Sequence, residues 1–393
     1  MTKSNLDLIG MIRRLIATPS MSSVSPAFDT SNLAVIELLA AWLEDFGFSV
    51  EVMPLPNQPD KANLLASIGP LFAESQGLMF AGHTDTVPYD AGRWSHDPFK
   101  LVESNQRLYG LGSSDMKAFF AIVLEALKGI EINKLQQPIF ILATADEESS
   151  MMGARRLVER GCPGVRYAVI GEPTGLQPIN AHKGIMMESI RLTGRAGHSS
   201  NPDFGASALE AMHEVIADIL TWRKQLQADF RDEQFSVPVP TLNLGHIKGG
   251  DNPNRICGEC ELHIDLRPLP GMALAELREE IEKRLQRRFK QTDIRWQLEQ
   301  LFPGTPALHT PASSPLVQEA EALTKQCCGA VAFCTEAPYL SELGIETIVL
   351  GPGDIDQAHQ PDEYLALDRI DPMQRVIQQL VKRFCYEKRR DDV

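Results

Sequence analysis

Two adjacent carboxylates, Glu147 and Glu148, follow directly on the apolar run Ile139-Phe140-Ile141-Leu142-Ala143. A short apolar run reads as a buried strand. In α/β proteins ligands gather at the carboxyl ends of such strands. Two neighbouring carboxylates there repel one another, and desolvating both is costly without a cation. Taken alone, the pair reads as a solvated acidic turn. Four further residues at comparable positions argue for metal instead. His83 follows the run 78–81, Glu172 follows 167–170, and His359 follows 346–350 and the turn Gly351-Pro352-Gly353. Asp115 opens the apolar stretch that starts at Met116, where it would equally serve as a helix N-cap. Two histidines and three carboxylates without cysteine suit zinc or a similar divalent ion. Their number suggests two ions with a bridging carboxylate, roughly 3.5–4 Å apart and sharing a water nucleophile.

Such a cluster needs several strand ends on one sheet edge. The first half of the chain supplies them, with strand patterns at 48–53, 63–68, 77–81, 139–143 and 167–170. Helical patterns at 33–46, 116–130 and 154–160 alternate with these strands, which predicts an α/β sheet with helical layers. The middle reads differently. Strands at 188–192, 241–247, 260–266 and 293–297 surround a long amphipathic helix at 206–226 and another marked by Leu274, Leu277, Ile281 and Leu285. That order predicts an α+β sandwich with an antiparallel sheet. After about residue 302 the α/β character returns, with a helix at 314–326, a strand at 346–350 and a helix at 369–384. The expected organisation is an α/β domain of 1–182 and 301–393, interrupted by an inserted α+β domain of 183–300.

Composition limits the functional classes. The 393 residues are 43% hydrophobic and 23% charged, with a net charge of −14, which disfavours nucleic acid and anionic membranes as partners. No apolar stretch approaches the roughly 18 residues that suggest a membrane span. Met1-Thr2-Lys3-Ser4-Asn5-Leu6-Asp7 shows no basic-then-apolar signal, so the cytoplasm is the expected compartment. The seven cysteines form no disulfide framework. Cys257 and Cys260 lie in or beside an alternating strand pattern, which points residues three apart to opposite faces, and both read as structural.

The chain resembles, over essentially its whole length, the zinc amidohydrolase family that includes aminoacylase, carboxypeptidase G and succinyl-diaminopimelate desuccinylase. The motifs behind this are Gly82-His83-Thr84-Asp85-Thr86-Val87-Pro88, Tyr109-Gly110-Leu111-Gly112, Asp115-Met116-Lys117, Ala143-Thr144-Ala145-Asp146-Glu147-Glu148, Gly171-Glu172-Pro173, Pro240-Thr241-Leu242-Asn243-Leu244-Gly245-His246, Cys334-Thr335-Glu336-Ala337-Pro338 and Ala358-His359-Gln360-Pro361-Asp362-Glu363-Tyr364. Ser114 and Ala118 stand where the family commonly has alanine and glycine.

The resemblance implies a zinc-peptidase-like catalytic domain, with a mixed sheet flanked by helices, and an inserted lid or dimerisation domain. It implies two metal ions, zinc or alternatively cobalt. His83 and Glu172 would hold one, Glu148 and His359 the other, and Asp115 would bridge. Glu147 would be the general base, and the Asp85 carboxylate would accept the free N–H of His83. His198 would reach the partner subunit's active site and stabilise the oxyanion, which implies a homodimer. Asn254 and Arg267 would grip the substrate's α-carboxylate, with Arg255 a further candidate, and the backbone at Gly353, which has no side chain to block it, would approach the substrate closely. The implied reaction is hydrolysis of the N-acetyl amide of N2-acetyl-L-ornithine, in arginine biosynthesis. A desuccinylase, aminoacylase or dipeptidase is the alternative; a non-catalytic binding homologue would have lost ligands that this chain keeps.

Overall fold

The computed structural model describes residues 7–386 of the 393. The segment inspected for a targeting signal therefore lies almost wholly outside the described residues. The chain forms two compact units, one of residues up to Asn180, Thr310–Gly329 and Thr335 onward, the other of Ala181–His309 and Ala330–Cys334.

The first unit is built on a mixed sheet. Six of its nine strands run in the order Ser49–Leu55, Gln58–Ile68, Ile139–Thr144, Gly77–His83, Val165–Ile170 and Glu346–Val349. The last four are mutually parallel and the first two antiparallel. Gly77–His83 and Ile139–Thr144 are buried along their whole length, as parallel strands covered on both faces are. Helix Ala118–Leu127 is almost wholly buried. Helix Ile370–Val381 buries Ile370, Met373, Val376, Ile377, Leu380 and Val381, one stripe at helical spacing. Both belong to one continuous core with the sheet. A small antiparallel sheet of Val102–Ser104, Arg107–Tyr109 and Tyr364–Ala366 stands beside it. Strands of three residues carry too little pattern to be seen in the sequence.

The second unit is an antiparallel sheet in the order Thr241–Gly249, Glu259–Arg267, Ile185–Thr193 and Arg295–Thr305. Helices Ala208–Asp229 and Leu274–Phe289 bury Met212, Ile219, Trp222, Leu277, Ile281 and Leu285 in a core with Ile190, Leu192, Leu262 and Ile264. Cys257 and Cys260 are both buried and free. No helix among the described residues is long and apolar enough to cross a membrane.

Candidate metal centre

The four parallel strands end within two residues of one another. His83 is opposite Thr144, Ala81 opposite Ile170, and Ile170 opposite Val349. The segments that follow therefore leave one sheet edge, and each carries a candidate ligand. Asp115 joins them from the loop before helix Ala118–Leu127. It is not the helix N-cap: that helix begins three residues later, behind Lys117. Its carboxylate is thus free for other contacts.

Asp115 turns one oxygen to each histidine. Its Oδ1 lies 3.1 Å from His83 Nε2, and its Oδ2 lies 3.5 Å from His359 Nε2. Glu172 Oε1 completes the first half at 3.7 Å from His83 Nε2. Glu148 Oε1 completes the second at 3.1 Å from His359 Nε2. Donor atoms of His83, Glu147 and Glu172 lie within 4.8 Å of one another, as do those of His83, Asp115 and Glu148. The structure thus brings together His83, Asp115, Glu147, Glu148, Glu172 and His359. His83, Asp115 and Glu172 are buried, Glu147 and Glu148 partly buried, and His359 exposed.

The cluster is organised to hold positive charge. Burial would lower the His83 pKa, but Glu172, Asp115 and Asp85 together raise it well above the ordinary imidazole range. Hydrogen bonds to Asp115 and Glu148 raise His359 to about 10. Burial would raise Asp115, yet its two histidines hold it below the usual carboxylate range. Glu147 and Glu172 are pushed well up by burial and then by carboxylate neighbours, each counting Glu148 among them. Glu148 is raised by burial and then by Asp115. Oxygen and imidazole donors with this demand for cation fit a divalent ion. His359 and Asp146 also hold left-handed backbone, with φ of 60° and 58°. Such strain in a non-glycine residue concentrates at functional sites.

A surrounding layer of buried polar groups fixes the candidate ligands, and here the structure departs from expectation. His83 Nδ1 meets the main-chain carbonyl of Asp85 at 3.0 Å, whereas the Asp85 carboxylate is 3.7 Å away. The carbonyl therefore sets the tautomer, with the proton on Nδ1 and Nε2 turned to the cluster. The Asp85 carboxylate instead accepts the backbone N–H of Glu147 at 3.3 Å and of Glu148 at 3.1 Å. It holds the peptide between the two glutamates, which lies closer to it than the ring nitrogen does.

Several supporting residues carried no role in the sequence reading. Lys61 Nζ bridges Asp29 and Asp146, 2.5 Å from each. The pair is asymmetric. The two carboxylates hold Lys61 above its ordinary value against burial, while burial pushes Asp146 up despite Lys61. Glu336 accepts the Thr144 hydroxyl at 2.6 Å, and burial pushes it up to about 7. Glu363 accepts three backbone N–H groups of the loop that presents Asp115. Asp146 and Glu363 lie within four residues of a candidate ligand in the sequence, whereas Lys61 and Glu336 stand in stretches that contain none. Gly353 is also constrained differently: a Cβ there would meet the Ser114 carbonyl at 2.4 Å, so its close approach is to the Asp115 loop. Ser114 Oγ accepts the Asp354 N–H at 2.9 Å and ties the same two loops.

The remaining candidates belong to the second unit. His198 is exposed, and its Nδ1 accepts from Ser200 N–H at 3.2 Å with Ser200 Oγ 2.8 Å away. That places its proton on Nε2. Its backbone bridges to Arg255, whose guanidinium pairs with Asp251 at 2.5 Å. The Asn254 carbonyl accepts the Ser199 N–H at 3.0 Å. Arg267 Nε pairs with Asp265 at 2.9 Å on the sheet face.

Residues 79–383 match peptidase family M20/M25/M40. The chain belongs to this family. Acetylornithine deacetylase of Edwardsiella ictaluri is 51% identical over 377 residues, covering 96% of this chain and 97% of that protein. Acetylornithine deacetylase of Yersinia pseudotuberculosis is 47% identical over 386 residues, covering 97% and 98%. Among solved structures, Bacillus cereus aminopeptidase PepT aligns at TM-score 0.72 with 17% identity, covering 95% of this chain and 97% of that one. The dinuclear metal-binding peptidase YXEP of Bacillus subtilis aligns at 0.68 with 14% identity, covering 95% and 98%. These structural likenesses establish the M20 fold, and the family membership makes the chain a metallohydrolase.

Proposed function

We propose that the protein hydrolyses the N-acetyl amide of N2-acetyl-L-ornithine to L-ornithine and acetate, a step of arginine biosynthesis, in the cytoplasm. The observation that carries this reading is the 51% identity, over 96% of the chain, to a protein named acetylornithine deacetylase. His83 and Glu172 would hold one divalent ion, Glu148 and His359 a second, with Asp115 between them. Zinc is the ion we propose, and cobalt suits the same donors. When bound, such ions polarise an acyl carbonyl and lower the pKa of a shared water. The other contributions come from the protein. Glu147, adjacent to a ligand but kept off the metal, takes the proton from the attacking water and returns it to the departing amine nitrogen. Asp85 holds the Glu147–Glu148 peptide, which fixes base and ligand relative to each other.

The second unit would act as lid and dimerisation domain, with the enzyme a homodimer. His198 would stabilise the oxyanion in the partner's site. Its Nε2–H, left free by the bonds at Nδ1, is the donor that this task needs. Asn254, Arg267 and Arg255 would receive the substrate's α-carboxylate, for which a guanidinium fork is suited. Initial rates with N2-acetylornithine, N-acetylmethionine, N-succinyl-diaminopimelate and simple dipeptides test the substrate. N2-acetylornithine should give the highest kcat/KM. If it ranks among the poorest, the substrate assignment is wrong, and the best of the others replaces it.

A further inference from the structure

We propose that Glu363 is a positioning residue for Asp115, the carboxylate that faces both halves of the metal centre, acting by gripping the backbone that presents it. The proposal rests on the two-ion reading above and deepens it.

The stretch from Gly110 to Asp115 belongs to neither a helix nor a strand, so its N–H groups have no ladder partners. One side chain supplies three of them. Glu363 Oε2 accepts Gly112 N–H at 2.9 Å, and Oε1 accepts Ser114 N–H at 2.7 Å and Asp115 N–H at 2.9 Å. The Glu363 carbonyl accepts Gly110 N–H at 3.0 Å. The next residue, Tyr364, pairs with Tyr109 in the small sheet, so the start of the loop is anchored beside the clamp. Glu363 itself is 1% exposed.

Two features connect this clamp to the metal ligands rather than to packing alone. Glu363 lies four residues after His359, so the segment that carries one ligand grips the loop that carries the other. The bonded N–H groups include that of Asp115 itself, whose Oδ2 lies 3.5 Å from His359 Nε2. A carboxyl group suits the task because its two oxygens together offer enough acceptor sites for all three N–H donors. Glutamine keeps the shape but sets an amide N–H₂ against at least one backbone donor. Alanine removes all three bonds.

The experiment uses full-length Glu363→Gln and Glu363→Ala beside the parent. Hydrogen exchange at residues 112–115 is measured in metal-free protein, zinc binding by calorimetric titration, and kcat and KM on the zinc-loaded enzyme. Protection at Ser114 and Asp115 should fall in the order parent, Gln, Ala. Zinc affinity should fall by about 10–100-fold, the usual effect of removing a group that orients ligands, and the loss should reach both sites, because Asp115 faces both histidines. The kcat should fall with little change in KM. Unchanged protection overturns the proposal. Lost protection with unchanged zinc binding and kcat also overturns it, since the role is then structural only. Should the Ala variant misfold, the Gln variant decides: folded and binding zinc like the parent, it refutes the idea. A parent that binds fewer than two zinc ions defeats the two-ion reading, while the exchange result still judges the grip on the loop.

Discussion

Replacing Glu147 with glutamine removes a charge and a base while preserving shape, so it separates base from ligand. The separation is needed because Glu147 lies with His83 and Glu172 in a group whose donor atoms are within 4.8 Å of one another. By geometry alone it would serve as a ligand. As general base, its loss should lower kcat by about 10²–10⁴-fold, or roughly 3–5 kcal/mol of barrier. Metal content should stay at the parental level. The metal-free protein should become more stable. Two like charges within 4.8 Å of each other repel by at least about 3.5 kcal/mol at an effective dielectric near 20. His83 offsets part of this, which leaves a gain of about 1–2 kcal/mol. The sign follows from linkage: Glu147 is raised above 4.5 in the folded state, so it binds protons more tightly folded than unfolded. Its ionisation therefore costs stability as pH rises above 4.5, and the glutamine variant escapes that cost. Metal analysis, steady-state kinetics and urea unfolding of the stripped proteins measure the three effects. Metal loss as great as that in Glu148→Ala would make Glu147 a ligand and refute the division of roles.

Glu148→Ala should release one ion per chain, because it deletes the carboxylate 3.1 Å from His359 Nε2; metal analysis after gel filtration reads this, and full retention would contradict it. His198→Ala should lower kcat by about 10²–10³-fold with little change in KM, the effect of removing an oxyanion donor, and an unchanged rate would end that role. Metal binding at pH 8 should release protons, since His359 is raised to about 10 and must be neutral to ligate. Calorimetry in buffers of different ionisation enthalpy counts those protons, and affinity should weaken as pH falls. In metal-free protein the same raised value adds stability that is complete below about 6.5 and lost as pH climbs through about 10. Lys61→Met should cost roughly 3–5 kcal/mol in urea unfolding, because it strands Asp146, 3% exposed, without its cation. Adding Asp146→Asn should recover much of that loss, and a double variant no more stable than the single would refute the account.

The sequence by itself singled out the residues that the structure brings together. Strands buried on both faces read as unbroken apolar runs, and polar residues placed just past them have few reasons to be there. That local signal found His83, Glu147, Glu148, Glu172 and His359. Only the tertiary structure decided how they are held. Asp115, which the sequence allowed as a helix cap, faces both histidines because the helix starts three residues later. The Asp85 carboxylate binds the Glu147–Glu148 backbone rather than the His83 ring. Lys61 and Glu363 act on partners 85 and 248 positions away. The physical reason is the range of the interactions. Periodicity and apolar runs record burial within a few residues, whereas a carboxylate gripping distant N–H groups leaves no pattern along the chain. The ending of four parallel strands within two residues of one another likewise follows from inter-strand register, and that register gathers scattered side chains into one candidate metal site.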